Sequence, residues 1–498
     1  MGFPIFSKFF SFSSNQHSDK TISPIITLIE EYAKTKEYFF FRDMTIYHRS
    51  KSIKVPLMLF IQKIGIVLFS IKEWDYKDLE NATLKRTSYL DDNENTLAFD
   101  NIQRFISEKL LDIAQIEDIH FVNFAILPRI AFKEYTLLDN SIKTLLPEEK
   151  ILFEDTTLED IDKKLSLLTS EKQYDPNKII PFIYSEYMII DQNNIALANE
   201  EQRAFIDTQL HSIKNISAKR ISGKTHTLIL KALKEKLYNP EKKITIIAPT
   251  KLHIYILRQL LLQLLEKSCI ILDMAEFSFF TPEELIEFHA KKINKELMTY
   301  KKVDPILLKK EIFIAELILC DDANLFDREF ITYLKKQQQK YSLCFINEQE
   351  LTPTYIFTQT YLENKVEFHP NNSSSYLFTT LYNLLENDIN ASILIFTEID
   401  EEKSLAEDIK NYTGITTNFI EQDNIQNIDK SQIQIAPLKS SIPLRAEYVF
   451  ILTTDDTNLE DLTYLLNASK KTTFVLYNEE NKTIKDFQKD LNGKSDKN

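Results

Sequence analysis

Ala218-Lys219-Arg220-Ile221-Ser222-Gly223-Lys224-Thr225 runs directly into HTLILKALKEKL, a segment of helical period. The spacing is that of the phosphate-binding pattern GxxxxGK[ST], with alanine at the first glycine. A loop that ends at a helix N-terminus aims backbone N–H groups at anionic oxygens. In such a loop Lys224 is expected to reach the β and γ phosphates and Thr225 to ligate magnesium. Ser222 and Gly223 bring the backbone close to the phosphates. Ala218 puts a Cβ where a permissive backbone is often needed, and a left-handed conformation there would cost about 1–2 kcal/mol.

A phosphate loop needs an acid at the tip of another parallel strand. Leu317-Ile318-Leu319-Cys320-Asp321-Asp322 supplies one. Asp321 is expected to hold magnesium through water, and Asp322 to polarise the attacking water as the catalytic carboxylate. Around these motifs, from Leu197 onward, apolar runs of strand length alternate with helical segments, the pattern of parallel sheets wrapped by helices. Strands are expected at residues 244–248, 269–274, 316–320 and 343–346. After a break near Pro353 they return at 392–396, 432–436, 448–452 and 473–477. Two α/β halves in series follow.

The 498 residues leave room for about three domains. Glycine is scarce, five residues in all, which excludes a GxGxxG dinucleotide fingerprint and a glycine-rich linker. A net charge of −14 argues against a surface coated for nucleic acid while leaving room for a local basic groove. Cys269, Cys320 and Cys344 sit among aliphatic residues without metal-like spacing and read as reduced thiols of a cytoplasmic protein. No apolar run is long enough to span a membrane. The first twenty residues lack the marks of a signal peptide, and Phe6 breaks the myristoylation pattern after Gly2; they read as a loose tail. The expected map is a tail at 1–20, an α/β unit at 21–168, a linker with room for a helix at 169–195, lobes at 196–352 and 353–480, and a polar tail at 481–498.

With both loop and acid in order, residues 197 to about 477 resemble superfamily 1 helicases of the UvrD/Rep type. Leu197-Ala198-Asn199-Glu200-Glu201-Gln202 is similar to the family's LNxEQ signature, whose glutamine, here Gln202, reads adenine. Ala248-Pro249-Thr250 resembles the strand end that touches single-stranded DNA, which assigns backbone contact to Thr250 and Lys251. Asp321-Asp322-Ala323-Asn324 stands where the family has Asp-Glu-Ala-Gln. Residues 442–449, with Arg445 as a nucleotide contact, compare with KGLEADYV, and residues 464–471 with YVALTRAK. The resemblance implies two RecA-like P-loop lobes, ATP and Mg2+ as ligands, and DNA, single-stranded or at a junction, as partner.

Departures from the family pattern point to impaired turnover. Asp322 is one methylene shorter than glutamate, and Ser469 replaces the arginine that meets the γ-phosphate. Beyond Arg328, Arg445 is the sole arginine. An arginine finger is worth roughly 10³–10⁵ in rate, and lysines such as Lys470 are less directional substitutes. The short run from Lys224 to Asp321 leaves little space for an unwinding insertion.

Upstream, residues 55–60 and 65–74 resemble the nuclease-related domain, a small restriction-endonuclease-like α/β fold that often precedes such helicase halves. Its Asp and Glu-x-Lys would bind a catalytic metal. Here Pro56 and Ser70 occupy the carboxylate positions and Lys72 alone matches, so the unit reads as non-cleaving, with Asp43 and Glu73 as weak substitutes and Trp74 as a hydrophobic anchor. His211, His226, His253 and His289 read as structural. The lysine-rich stretch 301–310 reads as surface, and the acidic run 398–402 as a solvated loop. Two accounts stay open: a DNA-associated ATP-binding protein with weak hydrolysis, and a catalytically dead scaffold that holds a protein partner.

Overall fold

The computed structural model describes residues 24–80, 98–191, 194–210, 212–218, 222–292, 315–337, 342–347, 351–357, 365–370, 374–398, 402–420, 433–438, 446–459, 462 and 465–495. The tail at 1–20, His211, the 301–310 stretch and Arg445 lie outside the described residues.

The chain divides into two compact units, 1–198 with 263–272, and 199–262 with 273–498. In the first, β1 (Phe39–His48), β2 (Lys51–Ile61), β3 (Gly65–Ile71), β4 (Phe121–Leu127) and β5 (Ile151–Phe153) form one mixed sheet in sequence order. The first three strands pair antiparallel and the last three parallel. Helices Pro24–Thr35 and Leu158–Ser166 cover one face, with Ile29, Leu57, Val67 and Ile126 in the core between them. The stretch 169–195 has the helix its reading as a linker allows, together with a hairpin. It carries helix Pro176–Ile183, capped by Asp175, and the hairpin β6 (Met188–Asp191) and β7 (Asn194–Leu197). Backbone bonds from Ser170 to Lys63 and from Tyr174 to Gln62 tie it to the first sheet. On helix Ala98–Ala114, Lys109 donates to Ser185 Oγ at 2.9 Å and to the Ile183 carbonyl at 3.3 Å, so this segment is part of the unit's interior.

The second unit holds two RecA-like parallel sheets. The first lobe contains β8 (Ile213–Ala218), β9 (Ile244–Ile247), β10 (Phe277–Phe280), β11 (Leu317–Cys320), β12 (Ser342–Ile346) and β13 (Tyr355–Phe357), in the order β10-β9-β11-β12-β8-β13. All adjacent pairs are parallel, and β9 and β11 are buried at every position, as a sheet covered on both faces requires. Because β13 pairs with β8, the first sheet continues past the expected boundary at 352. The second lobe contains β14 (Lys365–His369), β15 (Ile393–Thr397), β16 (Thr417–Phe419), β17 (Ile433–Pro437), β18 (Ala446–Leu452) and β19 (Ser469–Leu476), in the order β14-β19-β18-β15-β17-β16, again all parallel. The expected polar tail carries helix Lys482–Ser495, whose Ile484 and Phe487 pack into this lobe's core. Leu252, from the first lobe, is buried in that same cluster. No helix among the described residues is long and apolar enough to cross a membrane.

The strand expected at 269–274 is absent. Helix Lys251–Lys267 ends there in a Schellman motif: Cys269 takes a left-handed φ of 51°, Ile270 N–H donates to Leu265 O and Cys269 N–H to Glu266 O. The apolar residues 269–272 are spent on terminating a helix, and the strand forms later, at β10.

Candidate functional site

β8 and β11 are separated by β12 alone, so their carboxyl ends lie about 10 Å apart, two strand spacings. Each end delivers part of the site. Beyond β8, Gly223 caps helix Lys224–Tyr238 in a left-handed conformation, φ 72° and ψ 17°, which a Cβ would strain. Lys224 and Thr225 are therefore the first residues of that helix. Beyond β11, Asp321 is fixed by its N–H donating to Ile247 O of β9 at 2.9 Å.

The two ends meet. Thr225 Oγ1 donates to Asp321 Oδ2 at 2.9 Å, and Lys224 Nζ forms an ion pair with Asp322 Oδ1. Both side chains of that pair are largely buried, 13% and 9% exposed, which strengthens their attraction relative to bulk water. Asp322 sits at φ 45°, ψ 50°, a left-handed conformation uncommon for a non-glycine residue. Such strain is characteristic of functional sites.

Ala218 corrects the expected loop strain. It lies in β8, paired with Phe357, and its N–H donates to Asn347 Oδ1 at 2.8 Å. Its backbone is ordinary extended strand, so the missing glycine imposes no left-handed cost there. Ser222 is fully buried, and its carbonyl accepts from Gln202 Nε2 at 2.6 Å. Gln202 is also fully buried, and its Oε1 accepts the Asn199 N–H at 2.9 Å in the capping box of helix Glu200–Asp207. It therefore braces the floor of the loop.

Thr250 and Lys251 follow β9, at the start of helix Lys251–Lys267; Lys251 is exposed and Thr250 partly so. A cavity of about 520 Å³ opens beside them, lined by Lys251, Tyr255, Arg258, Phe279, Phe280 and Phe288 among others. Its aromatic rings are close-set, with Phe280 and Phe288 centroids 5.5 Å apart and the Arg258 guanidinium 5.1 Å from the Phe279 ring. Sequence reasoning missed this cluster, because its rings come from a strand and two helices that were not read as neighbours.

His253 reads as structural. It is buried, its Nδ1 lies 2.8 Å from Thr250 Oγ1, and its Nε2 lies 3.9 Å from Asp322 Oδ2. His289 is structural as expected, hydrogen-bonded through Nδ1 to Tyr333. In the second lobe, Ser469 is fully buried and its Oγ accepts from Thr473 Oγ1 at 2.8 Å, facing the interior. Lys471 pairs with Glu447 at 2.7 Å and lies over the Tyr448 ring. Cys320 and Cys344 are buried free thiols, and burial pushes the Cys344 thiol up to about 12.

In the first unit, Pro56 and Ser70 lie on β2 and β3, and Lys72 follows β3, 8% exposed. Burial pushes its amine down to about 7. Trp74 is half-buried, its ring 5.5 Å from Lys72 Nζ. Among the described residues no group of three or more His, Cys, Asp or Glu side chains is arranged to hold a metal ion.

No family model and no curated protein matches the chain. Solved structures similar to it include Dbp5 of S. cerevisiae bound to RNA and ADP BeF3, at 11% identity and TM-score 0.42, covering 58% of this chain and 86% of that one. The RNA-helicase Prp28 from Chaetomium thermophilum bound to ADP matches at 16% identity and TM-score 0.25, covering 60% and 82%. The DUF1998 helicase MrfA bound to DNA matches at 10% identity and TM-score 0.39, covering 58% and 50%. At this level of likeness the RecA-like assignment rests on strand order and on the strand-end residues.

Proposed function

We propose that the chain is a nucleic-acid-associated, ATP-binding protein similar to superfamily 1 helicases, with impaired hydrolysis, carrying a restriction-endonuclease-like first unit that does not cleave. The observation that carries this reading is the convergence of Lys224, Thr225, Asp321 and Asp322 at the carboxyl ends of β8 and β11. The donor set fits a magnesium nucleotide. Thr225 and Asp321 offer hard oxygen ligands, and magnesium is commonly held by one or two protein oxygens together with phosphate oxygens and water. When bound, the ion neutralises phosphate charge. Lys224, now paired with Asp322, would turn to the phosphates, while the helix N-terminus supplies N–H donors. Gln202 supports the loop through Ser222 on the adenine side of the site.

Impaired hydrolysis follows from the surrounding side chains. Asp322 is short and strained, Ser469 is turned into the second lobe's core, and Lys471 is held by Glu447. For the nucleic acid, exposed Lys251 and the aromatic cavity beside Thr250, whose lining also holds Arg258, Lys291, Glu284 and Glu287, offer rings for stacking, which contributes about 1–3 kcal/mol per base. In the first unit, Pro56 and Ser70 provide no carboxylate, and Lys72 offers no fixed positive charge above neutrality.

The test is binding of a fluorescent, non-hydrolysable ATP analogue with magnesium. Saturable one-to-one binding in the wild type that is lost in Lys224→Ala supports the reading. Equal binding by both proteins, or by neither, refutes it.

A further inference from the structure

Thr250 and Asp322 belong to different strand ends, one assigned above to a nucleic-acid strand and the other to the nucleotide. His253 bridges them. Its backbone N–H lies 3.3 Å from Thr250 Oγ1, which accepts it, and its Nδ1 lies 2.8 Å from the same oxygen. An oxygen that already accepts the backbone proton is best used as donor to the ring, which makes Nδ1 the acceptor and puts the ring proton on Nε2. That N–H faces Asp322 Oδ2 at 3.9 Å, and the other carboxylate oxygen holds Lys224.

We infer that His253 is a positioning residue that couples strand contact at Thr250 to nucleotide affinity at Lys224; the inference rests on the function proposed above. The Thr250 hydroxyl has one proton and two claimants. With Nδ1 as the acceptor it goes to His253. A strand phosphate oxygen is the stronger acceptor, because hydrogen bonds to ionised groups are roughly twice as strong as neutral ones. Once the hydroxyl turns to phosphate, Nδ1 loses its donor and the ring is released from Thr250. Moving it by about 1 Å brings Nε2–H within hydrogen-bond distance of Asp322. A carboxylate that accepts this bond shares its charge between two donors and holds Lys224 less tightly, leaving the amine to meet a triphosphate. His253 is buried at the start of helix Lys251–Lys267, 4% exposed and next to Leu252, so the ring has few alternative positions. By reciprocity, bound nucleotide tightens the strand by the same factor.

The experiment measures the dissociation constant of a fluorescent, non-hydrolysable ATP analogue with magnesium, with and without saturating oligothymidylate. It uses the full chain as wild type, His253→Ala and His253→Asn. Asparagine retains a group at the Nδ1 position facing Thr250 and cannot reach Asp322, which guards against a result caused by misfolding alone. Oligothymidylate is expected to tighten nucleotide binding about 5- to 150-fold in the wild type, the usual range for coupled sites. In His253→Asn the ratio is expected to fall to about 2 or less, with nucleotide affinity in the absence of DNA retained. A wild-type ratio of one overturns the inference, as does an unchanged ratio in both variants. Either result leaves nucleotide binding standing. Failure of the wild type to bind the analogue at all overturns the proposed function as well.

Discussion

Replacing Lys72 with methionine is expected to stabilise the first unit, and to do so most at low pH. The amine is 8% exposed, and burial moves it from an ordinary value of 10.5 down to about 7. Between those two values the unfolded chain holds a proton that the folded chain has released. Stability therefore rises with pH across that window and is flat below it, where both states are protonated. Methionine fills a similar volume without a charge to desolvate and lacks this dependence. The gap between variant and wild type is thus largest at pH 6 and should shrink by about 2–3 kcal/mol on going to pH 9, at about 1.36 kcal/mol per unit across the part of the window above 7. The assay is urea unfolding followed by tryptophan fluorescence. Trp74 is the only tryptophan in the chain and lies beside Lys72, so the signal reports this unit alone. A gap that stays constant from pH 6 to pH 9 refutes the account of an amine desolvated by burial, and with it one support for the non-cleaving reading.

Gly223→Ala forces a Cβ into φ 72° and should cost about 1–2 kcal/mol while weakening nucleotide binding, read by thermal melts and analogue titration. Lys231 is buried between the Ile206 and Thr208 carbonyls and pairs with Glu235 at 2.9 Å. Lys231→Ala leaves Glu235 to Lys242 alone, at 2.6 Å, and frees two buried carbonyls, so it should cost about 1–3 kcal/mol in denaturation followed by circular dichroism. Phe280→Ala removes a ring from the aromatic cavity and should weaken oligothymidylate binding by about 1–3 kcal/mol in fluorescence anisotropy, with nucleotide affinity without DNA preserved.

The parallel lobes were legible because their strands are short, continuous apolar runs: Ile244–Ile247, Leu317–Cys320 and Ile393–Thr397 are buried throughout. β8 escaped notice for the opposite reason. Its sequence IKNISA is half polar, and Asn215 is buried because its Nδ2 donates to Leu351 O at 2.8 Å, a partner distant in sequence. The segment 269–274 misled because an apolar run serves equally to close a helix. Likewise, 169–195 reads as a linker with room for a helix, and its prolines gave no sign that the helix containing Pro181 would bury Ile179, Ile180 and Ile183. Local composition carries periodicity; it does not carry the long-range partner that decides burial.

The same distinction separates the parts of the site. Lys224, Thr225, Asp321 and Asp322 could be named because a helix start and a strand tip impose local patterns of residue type. His253 has no such pattern around it, and it becomes a neighbour of Asp322 only when β9 and β11 pair in register, Ile247 beside Cys320. That register sets the helix after Thr250 and the acid after β11 at the same sheet edge. Residues joining two sites are therefore the ones a linear reading is least able to find, since neither motif contains them. In this fold the pairing of two central strands makes the acid that holds Lys224 and the hydroxyl at Thr250 share one histidine.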